Sequence, residues 1–165
     1  MHPFDTIVVA VDFSDTSAET IAAALTIARD QHPRIHLLHV VTDVFRTYGT
    51  VEAPGVDWAG VQREVIEQAR TELIGLAAAC KLDPLYVTVA VEAGDTTTEI
   101  LRYAEAQDAR LLILGSHGHG IIRRFMLGSV AERVLRLAKC PVLLVPHRLL
   151  RLTSFEVKAA SGVEA

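Results

Sequence analysis

The sequence predicts an α/β domain in three layers, a five-stranded parallel sheet between two layers of helices. Five short apolar runs alternate with four segments of helical periodicity, and such alternation builds parallel sheets covered on both faces. The first run, Ile7–Val11, is β-branched and unbroken by polar residues, as suits a strand buried on both faces. The fourth run feeds directly into Gly115-Ser116-His117-Gly118, followed by Gly128-Ser129 ahead of a helix. Glycines let a backbone approach a ligand closely, and a helix N-terminus behind them offers free N–H groups to phosphate.

The elements follow in order. After Ile7–Val11, residues 16–30 carry Ile21, Leu25 and Ala28 at helical spacing. Ile35–Val41 is the second strand. Residues 43–57 contain Gly49, Pro54 and Gly55 and read as a long loop. Val61, Val65, Ala69, Leu73, Leu76 and Cys80 then recur every three or four residues on one helix face. In Tyr86–Val91, Val87, Val89 and Val91 alternate with Tyr86, Thr88 and Ala90, which predicts a less buried edge strand. A helix over 96–107 forms around Ile100, Leu101 and Ala104. Leu111–Leu114 is the fourth strand, a helix runs from about Val130 to Ala138, and Pro141 and Pro146 bracket the fifth strand, Val142–Val145. Residues 147–165 lack periodicity. Arg148–Leu152 suits a short amphipathic turn and the last residues a mobile tail.

Composition narrows the class. The chain has 165 residues, half of them hydrophobic, enough for one domain with a real core. Its net charge of −4 argues against general nucleic-acid affinity. Cys80 and Cys140 are the two cysteines and form no CxxC, which fits a reducing compartment. The N-terminus shows no signal-peptide pattern, and no apolar run approaches the roughly 20 residues that cross a membrane. A soluble cytoplasmic protein is expected.

Ligands of such sheets bind beyond the carboxyl ends of the strands, where strand order reverses. The candidate loops are therefore 12–15, 41–44, 94–96 and 115–129. Three of them end in T/S-x-x-E, at Thr16…Glu19, Thr96…Glu99 and Ser129…Glu132, which predicts capping boxes at three helix starts. Ser129, behind Gly128, suits a phosphate contact as well as a cap. The glycine segment is not a Walker loop, for it has no GxxxxGK[ST], and the first loop, Asp12-Phe13-Ser14-Asp15, has no glycine for a dinucleotide fingerprint.

G-x-x-G, nine residues, then G-S resembles the nucleotide-binding signature of the universal stress protein family. Here it is Gly115, Gly118, the nine residues from His119 to Leu127, and Gly128-Ser129. IVVAVDFSDTS resembles that family's first strand and aspartate, LLHVV its second strand, and SVAERVLRLAKCPVLLVP its last helix and strand. The resemblance covers residues 4–146. It implies an adenine nucleotide α-hydrolase-like, Rossmann-like sheet of order 3-2-1-4-5, with residues 1–147 as the domain and 148–165 as a tail. The intact glycines and Ser129 imply the ATP-binding subgroup.

Carried onto this chain, the resemblance implies Asp12 near the ribose and phosphates, with Mg²⁺ between. Ala10, where some members have proline, and Val11 lead into that aspartate. Val40 would contact adenine through its backbone. Gly115, His117, Gly118 and His119 would line the phosphate and ribose side, and Gly128, Ser129 and Val130 would hold the terminal phosphates. The family's habit of dimerising through its last strand implies a homodimer through 142–145, and an unpaired edge there favours self-pairing.

Other residues invite sharper readings. His36, His39, His117 and His119 suggest a metal, but no further ligand set at zinc spacing accompanies them, and His39 reads as a packed strand residue. Ser116 and Ser129 stand near histidines without a G-x-S-x-G elbow or triad order. Phe13 and Tyr48 suit local packing better than base stacking. Arg123 and Arg124 suit solvent or a dimer contact. The expected function is a regulatory ATP-binding protein with an unknown downstream partner. A weak Mg²⁺-dependent ATPase or phosphotransferase is the alternative, and a flavodoxin-like carrier of another cofactor a third. Slow hydrolysis is compatible with these residues; a committed enzyme is not indicated.

Overall fold

In the computed structural model, which describes residues 4–28, 32–48, 55–117 and 127–146, β1 (Thr6–Ala10) is the central strand. All five of its residues are buried. Fully burying a Val or Ile is worth roughly 1.5–3 kcal/mol, so an unbroken apolar strand gains most where both faces are covered. Chain order continues with α1 (Thr16–Ala28), β2 (Arg34–Val41), α2 (Val44–Tyr48), α3 (Trp58–Ala79), β3 (Val87–Ala93), α4 (Thr96–Ala106), β4 (Leu111–Gly115), α5 (Ser129–Leu137) and β5 (Val142–Val145). The sheet is parallel throughout, in the order β3-β2-β1-β4-β5. The expected class and strand order hold.

Alternation of side chains along β1 splits the core into two clusters. Ile7, Val9 and Val11 pack with Ile21 and Ala24 of α1 and Leu73 and Ala77 of α3. Val8 and Ala10 pack with Ile100, Tyr103 and Ala104 of α4 and Ala131 and Val134 of α5. The third strand is an edge, as its alternation predicts, and is less buried than β1. β5 forms the other edge.

Two local expectations need correction. The loop expected over 43–57 opens with a short helix, α2. Asp43 starts it: its carboxylate accepts from Arg46 N–H at 3.0 Å and its carbonyl from the Thr47 hydroxyl at 2.9 Å. Gln62 of α3 anchors the turn, accepting from Val44 N–H at 2.7 Å. The expected capping boxes also differ. The cap of α4 is Asp95, one residue before Thr96, and its carboxylate accepts from Thr98 N–H and the Thr98 hydroxyl. Those bonds, led by the side-chain one, hold the Asp95 carboxyl below its usual range. Glu99 turns instead to Arg102. Gly128 caps α5 with no side-chain bond, and Glu19 is buried with its Oε2 unpartnered. At α4 the Asp95 carboxylate takes the place of the Thr96 hydroxyl, and at α5 Gly128 stands at the cap position with no side chain to bond. Residues 147–165 lie outside the described residues, as do 49–54 of the expected loop.

One buried titratable pair links the layers. His36 of β2 and Tyr103 of α4 meet at 3.1 Å between Nδ1 and the hydroxyl, with rings edge-on. Burial first, and Arg34 second, push the His36 pKa below its ordinary 6.5. The unfolded chain therefore takes up a proton near 6.5 that the folded chain refuses, so stability is complete above that pH and declines below it. His36→Asn, which retains a polar group beside Tyr103 but does not titrate, should flatten this acid decline. Urea midpoints measured from pH 7.5 to 5 check the difference.

Candidate functional site

The chain leaves β1 toward β2 on one side, and later crosses from β3 to β4 on the other. Between those two crossings, beyond the carboxyl ends of β1 and β4, lies a cavity of about 550 Å³. The volume lies within the roughly 300–1,000 Å³ usual for small-ligand sites. Ala10, Val11, Asp12, Val40, Gly115, His117, Gly128, Ser129 and Val130, all singled out from the sequence, line it. Gly118, His119, Arg123 and Arg124 lie outside the described residues.

Asp12 follows the end of β1. Its Oδ1 accepts from Ser14 N–H at 3.0 Å, the Ser14 hydroxyl at 2.5 Å and, more weakly, the Ser17 hydroxyl at 3.4 Å. One carboxylate oxygen thus builds the turn into α1. Phe13 takes φ 62°, a left-handed conformation unusual for a bulky residue. Its ring does not stack in the cavity; it packs on His39 with centroids 4.2 Å apart, the local packing expected of it.

The β1–β2 ladder ends in a particular way. Even-numbered residues of β2 face β1, as Arg34 N–H to Asp5 C=O and Val11 N–H to Leu38 C=O show. The next rung would run from Val40 N–H to Val11 C=O, and the one after from Phe13 N–H to Val40 C=O. Neither is made among the described residues. Val11 C=O instead meets His39 Nδ1 at 2.8 Å. A carbonyl only accepts, so Nδ1 carries the proton. Val40 is left with a donor and an acceptor on its β1 side, where the cavity lies.

The two halves of the glycine motif are joined by one backbone bond, from Gly128 N–H to Ser116 C=O at 2.9 Å. Ser116 N–H in turn donates to Val145 C=O, and its hydroxyl meets His117 Nδ1 at 3.0 Å. Gly115 is required sterically: a Cβ there would stand 3.1 Å from His117 C=O and 3.2 Å from Thr16 Oγ1. Gly128 is different, since its φ −62°, ψ 148° is open to any residue.

Three helices begin at this cavity. Thr16 and Ser17 of α1, Thr96 of α4, and Ser129 and Val130 of α5 all line it. Their N-termini supply partial positive charge, with the Thr98 N–H of α4 already taken by the Asp95 carboxylate. Leu38, Ile100 and Leu114 supply apolar wall. Among the described residues Asp12 is the sole carboxylate in the lining. Thr16, Ser17, Thr20, Ser116 and Leu127 were not among the predicted site residues. The hydroxyls of Thr16, Ser17 and Thr20, at helical spacing, were a signal that could have found the α1 part. His36 is in the core with Tyr103, while His39 and His117 line the cavity, His39 bonded to Val11 C=O. Among the described residues no group of three His, Cys, Asp or Glu side chains is arranged to hold a metal, and no helix is long and apolar enough to cross a membrane.

Comparison with known proteins gives a consistent result. Residues 3–146 match the sequence model of the universal stress protein family. Universal stress protein YxiE of Bacillus subtilis (strain 168) is 31% identical over 150 residues, spanning 86% of this chain and 99% of the relative. Universal stress protein MJ0531 of Methanocaldococcus jannaschii is 32% identical over 139 residues, spanning 84% and 80%. Among solved structures, hypothetical protein MJ0577 superposes with a TM-score of 0.75 at 24% identity, covering 88% of this chain and 97% of that one. A universal stress protein in complex with cAMP superposes at 0.60 and 22% identity, covering 87% and 98%. These structural likenesses concern the fold.

The crowding at Gly115 has a measurable consequence. Gly115→Val should destabilise the fold by about 1–3 kcal/mol, the usual cost of overpacking. A Gly128→Ala control should cost little, because its backbone angles suit alanine. Urea unfolding of the two variants checks the contrast.

Proposed function

The chain belongs to the universal stress protein family, and from that premise we propose that the cavity beyond β1 and β4 binds ATP with Mg²⁺, and that nucleotide occupancy is regulatory. The observation that carries the reading is the convergence of three helix N-termini on a cavity whose one lining carboxylate, among the described residues, is Asp12. Partial positive charge from three directions favours a polyanion. A lone carboxylate among phosphates repels them unless a cation stands between, and Mg²⁺ is typically held by one or two carboxylates plus phosphates. Asp12 fits that role, because its turn-building bonds converge on Oδ1. The cation would neutralise charge between phosphate and carboxylate.

Val40 supports adenine as the base. Its free N–H and C=O lie side by side, one donor and one acceptor. Adenine offers a ring-nitrogen acceptor beside an amino donor on its Watson–Crick edge and matches that pair; guanine and hypoxanthine, with a ring N–H beside a carbonyl, reverse it. Leu38, Ile100 and Leu114 offer apolar surface to a base. Ser129 and the amides at the start of α5 suit terminal phosphates, the use expected of them from the sequence. Gly118 and His119, outside the described residues, are assigned to the same phosphate side.

Regulation would act through differential affinity. A nucleotide that binds one conformation of the 115–129 segment more tightly shifts the population toward it. A homodimer through the free edge of β5, at Val142–Val145, would couple that segment to a partner copy, since Ser116 N–H is bonded to Val145 C=O. Leu143 is the exposed apolar side chain of that edge, whereas Leu144 packs against the α4–α5 cluster.

Calorimetry with Mg²⁺-ATP tests the nucleotide reading: absence of binding by the wild-type protein would sink it. Asp12→Asn keeps an Oδ1 for Ser14 and Ser17 but loses the charge. It should weaken Mg²⁺-ATP about tenfold, roughly 1.4 kcal/mol, and leave Mg²⁺-free ATP no weaker than before. Equal losses with and without Mg²⁺ would refute the cation role. For the assembly, Leu143→Lys should sediment as a monomer where the wild type sediments as a dimer; a wild-type monomer would rule out the interface.

A further inference from the structure

Val11 C=O is the last acceptor of the buried central strand, and a buried carbonyl needs a partner. Register offers Val40 N–H, which would extend the parallel ladder by one rung. The fold uses the His39 imidazole instead, Nδ1 to O at 2.8 Å. His39 is held in place by the Phe13 ring 4.2 Å away, and Phe13 is turned there by its left-handed φ of 62°. Phe13 N–H makes no bond to Val40 C=O among the described residues, so both polar groups of Val40 stay outside the ladder.

We propose that His39 is a positioning residue whose imidazole, by occupying the Val11 carbonyl, keeps the Val40 amide out of the sheet and open to a ligand. The proposal rests on the adenine-nucleotide reading for the identity of that ligand, but the opening of Val40 belongs to the free protein. A histidine suits the task because the neutral ring can donate from Nδ1 within its own strand while its flat face packs on an aromatic neighbour. A leucine or valine here would fill the space without satisfying the carbonyl, and Val40 N–H would be the nearest donor to claim it. A strand lengthened by that rung loses its donor toward the cavity. His39 thus sets base selectivity through Val40, with no requirement to touch the base itself.

Two measurements test this. Residue-resolved amide exchange on the ligand-free protein should find Val40 exchanging fast and Leu38 slowly. In His39→Leu, Val40 should become protected as the rung forms. Protection of Val40 equal to that of Leu38 in the wild type would overturn the proposal, whether or not nucleotide binds and whether or not the leucine variant folds. The second measurement compares ATP with inosine triphosphate by calorimetry. The wild type should prefer ATP. His39→Leu should lower ATP affinity about five- to tenfold, the scale of one hydrogen bond, and leave inosine triphosphate nearly unchanged. His39→Asn, whose side-chain N–H stands near the position of Nδ1, should retain the preference. Equal losses for both nucleotides in His39→Leu would mean general damage to the fold and would refute the positioning role. Failure of the wild type to bind ATP would refute the nucleotide reading alone, leaving the exchange rate of Val40 to decide the other.

Discussion

The hydrogen-bond ladder of the central strand stops at Val11, and the geometry of the cavity depends on that stop. β1 has a strand on each side and helices on each face. Inside it no polar backbone group can be spared, because an unpaired one would be buried at a cost of a few kcal/mol. At Val11 two strands diverge, the chain turns through Phe13, and His39 satisfies the last carbonyl. Beyond that point backbone groups become available for recognition. The hydrophobic core and the polar site are therefore two ends of one strand.

The division of labour follows from charge as well as geometry. The chain is acidic overall, yet among the described residues its cavity is lined by helix N-termini and hydroxyls, with a single carboxylate. Backbone dipoles at those helix starts supply partial positive charge. Such dipoles hold fixed positions, because the helices that carry them are packed on the sheet through Ile21, Ile100 and Val134. Precision at the cavity is set by the core. The Ser116–Gly128 bond completes the arrangement by tying the end of β4 to the start of α5.

Much of this was legible in the residues. Ile7–Val11 announced a central strand by lacking polar residues, and the alternation at Val87–Val91 announced an edge. Gly115 and Asp12 stand at the carboxyl ends of β4 and β1, beside the cavity. What was misread shares a cause. The capping boxes assumed that a hydroxyl three residues before a glutamate is the cap, but Asp95 stands one residue upstream of Thr96, at the N-cap itself, and a carboxylate accepts more strongly. The loop over 43–57 hid α2 because Gln62, which anchors it, comes from another helix. His39 looked like ordinary packing, since nothing in a strand pattern shows that a side chain will replace a rung.

The sequence alone determined the class of fold, the order of its elements, which strand is buried on both faces and which turn carries the glycines. Those properties depend on periodicity and on residue type, which are local. Only the tertiary structure decided which loops share a cavity, that three helix starts converge there, that Gly115 is crowded while Gly128 has backbone angles open to any residue, and that Val40 faces the gap unpaired. Each of these depends on the distance between residues far apart in the chain, and that distance is set by strand order and register once the core has packed.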